Sequence, residues 1–153
     1  MTDKQKLYDK TFLKIACEIA NLSNCVCYQV GCVVVLDGRI ISQGYNGSPP
    51  GFTNCCDIFD KNYVREEHSF WSQKFEIHAE MNALVFAAKH GIAIEGTTFY
   101  SSVQPCHNCL KHLIGVGVKR VIYKDLYDKA CYTDETYEMI ENGKVEFVQL
   151  NLE

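Results

Sequence analysis

The order of apolar runs and helical periods along this chain predicts an α/β domain built on a single five-stranded sheet of mixed direction. Three observations carry that prediction. An apolar run at 30–36 is joined by Asp37-Gly38 to an extended stretch at 39–42, which reads as an antiparallel hairpin. From Ala79 onward, helical and extended segments alternate singly, as they do where crossover helices join parallel neighbours. The 153 residues contain no internal repeat, Pro/Ser-rich linker or low-complexity run, so one domain is expected to span 1–153.

Each element has its own local reason. Leu7, Thr11 and Phe12, Ile15 and Ala16, and Ile19 and Ala20 recur at steps of three and four, the period of an amphipathic helix that Ser23-Asn24 ends. The run 30–36 is apolar without alternation, so its strand is expected to be buried on both faces. Gly44-Tyr45-Asn46-Gly47-Ser48-Pro49-Pro50-Gly51 reads as loop, and the polar, aromatic stretch beyond it, to residue 75, has too little periodicity for an assigned element. A loop of that length inside a domain is usually functional. Ala79, Ala83 and Ala87 form a small-residue stripe that lets a helix approach a sheet closely, and Gly91 suits its C-terminal cap. Strands at 97–103, 119–123 and 144–148 then alternate with helices at 106–114 and 133–141.

Charge and composition narrow the function. The formal charge is −4 and the longest basic run is the pair Lys119-Arg120, so the footprint of a protein that grips a nucleic-acid polymer is missing. A single nucleotide needs only a few donors and stays compatible. No apolar run approaches the roughly 20 residues that cross a membrane, and residues 1–6 lead into no apolar signal segment, so a cytoplasmic protein is expected. Nine cysteines in such a chain fit metal ligation better than a disulfide scaffold. Cys17 and Cys32 lie in apolar stretches and read as core residues; Cys131 has no evident partner.

The chemistry concentrates in His78-Ala79-Glu80 and Pro105-Cys106-His107-Asn108-Cys109. A catalytic zinc takes three protein ligands and leaves one position open, and His78, Cys106 and Cys109 supply three. The cysteines stand three apart at a helix start, where free N–H groups favour thiolate. Glu80, two residues from His78, can stand beside such a metal and move protons while the metal activates water. A closed structural zinc site completed by another cysteine would suit a C-x-x-C pair alone; the preceding proline, the H-x-E and the α/β order favour catalysis. His107 and His112, on the same helix, read as solvent-facing or internally satisfied histidines.

The pattern H-x-E with P-C-x-x-C is the signature of zinc-dependent nucleobase deaminases. With Val30-Gly31-Cys32-Val33-Val34, Gly44-Tyr45-Asn46-Gly47-Ser48-Pro49, His78-Ala79-Glu80-Met81-Asn82-Ala83 and Tyr127-Asp128-Lys129, the sequence resembles the deoxycytidylate (dCMP) deaminase family, most of all its bacteriophage-type members, from about residue 7 to about residue 147. The resemblance implies a three-layer α/β/α, cytidine deaminase-like fold. It also implies hydrolysis of dCMP to dUMP and ammonia, which feeds thymidylate synthesis in pyrimidine metabolism, in the host cytoplasm if the protein is viral.

By the same resemblance Asn46 and Tyr127 should contact the nucleotide. The backbone around Gly47-Ser48 and the Ser48 hydroxyl are suited to a phosphate. Asn46 also suits a turn, and Tyr127 also suits a packed aromatic. Cys25, Cys55, His68 and Glu76 resemble the structural-zinc ligands of some phage-type members, with Cys27 and Cys56 as adjacent alternatives. The family is commonly a homohexamer, activated by dCTP with Mg2+ and inhibited by dTTP. Phe86 and Lys89 are candidates for that regulatory face, and equally for ordinary core and surface. Rival readings are an enzyme that also accepts dCTP, a deaminase of adenine in tRNA or of guanine, and a non-catalytic zinc-binding module.

Overall fold

The computed structural model describes residues 2–152. Helix α1 (Asp3–Ala20) is followed by the hairpin β1 (Gly31–Leu36) and β2 (Arg39–Tyr45), then by helices α2 (Cys55–Ile58), α3 (Arg65–Phe75) and α4 (Ala79–His90). Strand β3 (Thr98–Val103), helix α5 (His107–Gly115), strand β4 (Arg120–Asp125), helix α6 (Asp134–Asn142) and strand β5 (Glu146–Gln149) complete the described elements. The five strands lie in the order β2-β1-β3-β4-β5. β1 is antiparallel to β2 and β3, whereas β4 is parallel to β3 and β5. The expected mixed sheet is therefore present, with its antiparallel part at the early hairpin and its parallel part after it.

Local chemistry explains these elements. Asp37 (φ 49°) and Gly38 (φ 74°) are both left-handed, the two-residue hairpin turn that matches the twist of the flanking strands. Thr2 caps α1 through its side chain, and Gly91 (φ 67°) closes α4 as the left-handed residue. Against one face of the sheet pack Ala79, Ala83 and Ala87 of α4, Leu110 and Leu113 of α5, and Ile140 of α6. Against the other pack Phe12, Leu13 and Ala16 of α1, beside Val33, Val35, Tyr100 and Ile122. Helices on both faces make the three layers, and β1 is buried on both sides as its unbroken apolar run requires.

Four expectations need correction. Residues 44 and 45 belong to β2, because Gly44 is where the sheet backbone meets α4: a Cβ on it would stand 2.2 Å from the Ala79 carbonyl oxygen. The stretch before residue 76 contains α2 and α3, stabilised by rings packing on one another: Phe52 on Phe75 (4.9 Å), Phe59 on His68 (5.3 Å) and Phe59 on Trp71 (5.7 Å). Aromatic clustering has no simple helical period, so the pattern was invisible in the sequence. On α1, Leu7 is 67% exposed and Asp9 is 2% exposed, which rotates the buried face away from Leu7. Cys17 is half-buried, whereas Cys32 is fully buried.

Asp9 is buried because it is saturated. Its Oδ1 accepts hydrogen bonds from Gln5 Nε2 (2.9 Å), Tyr100 Oη (2.6 Å) and Arg120 Nη1 (3.0 Å), and its Oδ2 from Arg120 Nη2 (2.9 Å). Arg120 reaches on to Glu146, so the network joins α1, β3, β4 and β5. Burial by itself pushes the Asp9 carboxyl up, but the hydrogen bonds from Arg120, Tyr100 and Gln5, with the Arg120 charge, outweigh it and hold the pKa below the ordinary carboxylate value. A depressed carboxylate contributes fully above its unfolded pKa and loses that contribution as the pH falls through the folded one. Asp9→Asn should thus cost about 2–3 kcal/mol at pH 7, with the gap to wild type narrowing below roughly pH 4. Urea unfolding at pH 7 and in acid checks this; a gap that does not change with pH would refute the assignment.

Candidate active site and metal centres

The site forms where two helices begin. His78 is the N-cap of α4 and Cys106 the N-cap of α5, with extended backbones at ψ 153° and 164°. Cys106 Sγ accepts a hydrogen bond from the Cys109 N–H at 3.4 Å, so the capping turn points both sulfurs the same way. His78 Nδ1 lies 3.5 Å from Cys106 Sγ and 3.4 Å from Cys109 Sγ. Zinc–sulfur bonds of about 2.3 Å and zinc–nitrogen bonds of about 2.0 Å, at the tetrahedral angle, separate S and N by roughly 3.5 Å. The three donors therefore already have the spacing of zinc ligands. His78 is exposed and Cys109 buried, so the cluster has an open side.

Glu80, in the first turn of α4, is 3% exposed. Burial pushes its carboxyl pKa up, partly offset by the charge of His78. The hydrogen bond from Cys109 and that from His78, working against burial, bring Cys106 down to about 4, while Cys109 is displaced upward as the partner that keeps its proton. This set can move protons, hold a soft dication and leave a carboxylate next to it.

A second cluster lies between the segment after α1 and the two helices that precede α4. Cys25 Sγ is 3.4 Å from His68 Nε2 and 3.6 Å from Glu76 Oε2, and the donor atoms of Cys25, Cys55, His68 and Glu76 all fall within 4.8 Å of one another. The Val26 N–H donates to Cys55 Sγ at 3.4 Å. Glu76 Oε2 accepts from Ser72 Oγ at 2.6 Å, yet its buried Oε1 has no partner. Burial pushes Cys25 up to about 12, so its thiolate calls for a cation. Two sulfurs, an imidazole and a carboxylate with an orphaned oxygen fit a closed four-coordinate zinc site. Cys27 and Cys56 are outside this set of four.

The expected substrate contacts are placed less simply. Asn46 is buried; its Oδ1 accepts from the Val30 N–H (2.8 Å) and its Nδ2 donates to the Tyr28 carbonyl (2.8 Å). It thereby pins 28–30, with one amide N–H left over. Around Gly47-Ser48, the Gly47 N–H donates to the Ile77 carbonyl (3.1 Å) and the Ser48 hydroxyl to the Thr53 carbonyl (2.7 Å). Tyr127 is half-buried, its ring edge-on to Tyr28 at 5.4 Å. Burial, then the nearby charge of Cys106, push its phenol pKa up.

Outside the clusters, His107 Nδ1 pairs with Thr136 Oγ1 (2.9 Å) and His112 Nδ1 with the Asn108 carbonyl (2.5 Å). Phe86 and Lys89 are exposed on the outer face of α4. Sequence reasoning missed Gln104, whose Oε1 accepts the Tyr127 N–H (3.3 Å), and the group Tyr28, Arg65 and Asp128. Only Asp128 carried a signal, its place beside Tyr127.

The model of the cytidine and deoxycytidylate deaminase zinc-binding region matches residues 7–125. The deoxycytidylate deaminase of Enterobacteria phage T4 is 38% identical over 152 residues, covering 78% of this chain and 78% of the phage protein. That of Saccharomyces cerevisiae is 31% identical and covers 90% of this chain and 43% of the yeast protein. Among solved structures, the dCMP deaminase from the cyanophage S-TIM5 in complex with dCMP and dUMP superposes with a TM-score of 0.76 at 32% identity, covering 98% of this chain and 99% of that one. With the zinc-binding region matched over most of its length and a phage relative aligned across the greater part of both proteins, the chain belongs to the cytidine and deoxycytidylate deaminase family.

Proposed function

We propose that this protein hydrolyses dCMP to dUMP and ammonia, supplying dUMP for thymidylate synthesis. The observation that carries the reading is a buried carboxylate, Glu80, two residues from His78 of a three-donor cluster that has one open side. A purely structural zinc site has no use for that carboxylate, which sets aside the binding-module reading. The phage relatives named for this reaction support the choice of dCMP.

His78, Cys106 and Cys109 would hold a zinc ion, which supplies Lewis acidity to activate a water molecule. Glu80 accepts the proton released when that water adds to the ring carbon bearing the amine. It delivers that proton to the adjacent ring nitrogen, then takes the remaining proton of the added hydroxyl as the carbonyl forms and gives it to the amine, which departs as ammonia. Its burial keeps bulk water from competing for those protons. Tyr127 borders the nucleotide, while Asn46 shapes the floor by holding 28–30 and offers its remaining N–H; Ser48 offers oxygen lone pairs. Cys25, Cys55, His68 and Glu76 would hold a second, structural zinc that orders the segment carrying α2 and α3. Regulation by dCTP with Mg2+ and by dTTP, a homohexameric state and a cytoplasmic location complete the reading. No described helix is long and apolar enough to cross a membrane.

Loss of cytosine absorbance on mixing the protein with dCMP tests the reaction. Glu80→Gln should lower kcat by roughly 10²–10⁴-fold with bound zinc unchanged; a variant as fast as wild type would remove Glu80 from the mechanism. Cys55→Ser should lower the zinc content by one ion per chain and expose α2 and α3 to proteolysis, whereas an unchanged zinc content would dismiss the second site. Initial rates against dCMP should be sigmoidal and become hyperbolic when dCTP and Mg2+ are added; hyperbolic rates without effector would overturn the regulatory part alone.

A further inference from the structure

We infer that Asp128 is a positioning residue for this reaction, its carboxylate bracing the loop that presents Tyr127 against the elements that carry the second donor cluster. The inference rests on the proposed deamination of dCMP. On one side, the loop between β4 and α6 is stitched to the chain around Cys106. The Tyr127 N–H donates to Gln104 Oε1 (3.3 Å), the His107 N–H to the Ala130 carbonyl (2.9 Å) and Tyr132 Oη to the Pro105 carbonyl (2.8 Å). On the other side, Asp128 Oδ1 accepts from Tyr28 Oη (2.8 Å) and Oδ2 from Arg65 Nη2 (2.5 Å), while Lys129 Nζ donates to Ser69 Oγ (3.2 Å). Arg65 and Ser69 lie on α3 with His68, and Tyr28 follows Cys25 by three residues. Both partners of Asp128 thus belong to segments that hold the second cluster. The Tyr28 ring then meets Tyr127 edge-on at 5.4 Å, so the carboxylate sets the orientation of both rings.

The energetics separate positioning from stability. The Arg65 and Asp128 side chains are 50% and 51% exposed. An ion pair that open contributes about 0–1 kcal/mol to folding, so its loss should scarcely move the melting temperature. It can still move a ring, and a binding group displaced from its place weakens substrate binding far more than folding. Because the proposed role of Tyr127 is to border the nucleotide, with no proton transfer assigned to it, the effect belongs in KM.

Asp128→Asn and Asp128→Glu, Arg65→Gln, and the double variant Arg65→Gln/Asp128→Asn are assayed with dCMP, with melting temperature and zinc content measured on the same samples. Asp128→Asn should raise KM roughly 5- to 20-fold while kcat stays within about 3-fold of wild type. Asp128→Glu should recover part of the loss, and the double variant should be no worse than the poorer single one, since the two groups act as a unit. Unchanged KM in an active Asp128→Asn enzyme overturns the inference and leaves the proposed function intact. So does a KM rise accompanied by an equal loss of melting temperature or zinc. Failure of the wild type to convert dCMP overturns the proposed function, and this inference with it.

Discussion

The close seat of α4 on β1 and β2 decides where the reacting groups stand. Gly44 leaves room for the Ala79 carbonyl and the Ala83 N–H, which a Cβ would meet at 2.2 and 2.7 Å. At that distance side chains of the sheet bond to the helix backbone: Cys32 Sγ donates to the Ala79 carbonyl (3.2 Å) and Ser42 Oγ to the Ala83 carbonyl (2.8 Å). Asn82 returns a bond from α4 to the Tyr45 carbonyl (2.7 Å). The first turn of α4 is therefore held from three sides, and His78 and Glu80 inherit its position. A helix seated even one methyl group further out would carry His78 away from the sulfurs of α5.

Electrostatics follow from the same placement. Two helix N-termini, with their partial positive charge, converge on the sulfurs of Cys106 and Cys109 and a buried carboxyl group. α5 begins just past the carboxyl end of β3, and the Tyr127 loop leaves the carboxyl end of β4. These are the ends at which open α/β sheets place their ligands. The Asp9–Arg120 clasp sits at the start of β4, where it ties α1 across the sheet without reaching the chemistry. Stability and reactivity thus occupy opposite ends of one strand.

The segment between β2 and α4 links the two donor clusters. Its helices are too short and too exposed to persist alone. They are held by an aromatic cluster, by the donors around Cys25 and by the bonds of Arg65 and Ser69 to the Tyr127 loop. The order of that segment and the setting of Tyr127 are consequently one structural property.

Much was legible in the residues themselves. Apolar runs, the 3.6-residue period, Asp37-Gly38, the alanine stripe and Gly91 set the strands, the hairpin and α4, because each is decided by neighbours within a turn or two. The spacing of His78, Glu80, Cys106 and Cys109 encoded the donor set for the same reason: each half is a single helix start. Tertiary structure alone decided which polar groups are already occupied and which residues brace the site. The Asn46 side-chain oxygen and one of its amide N–H groups, like the Ser48 hydroxyl proton, turned out to be used on backbone partners, and Asp9 to be buried on partners as distant as Arg120, 111 residues away. Asp128 meets Arg65 across 63 residues. Such pairs depend on the order in which strands join the sheet, and no local spacing records that order.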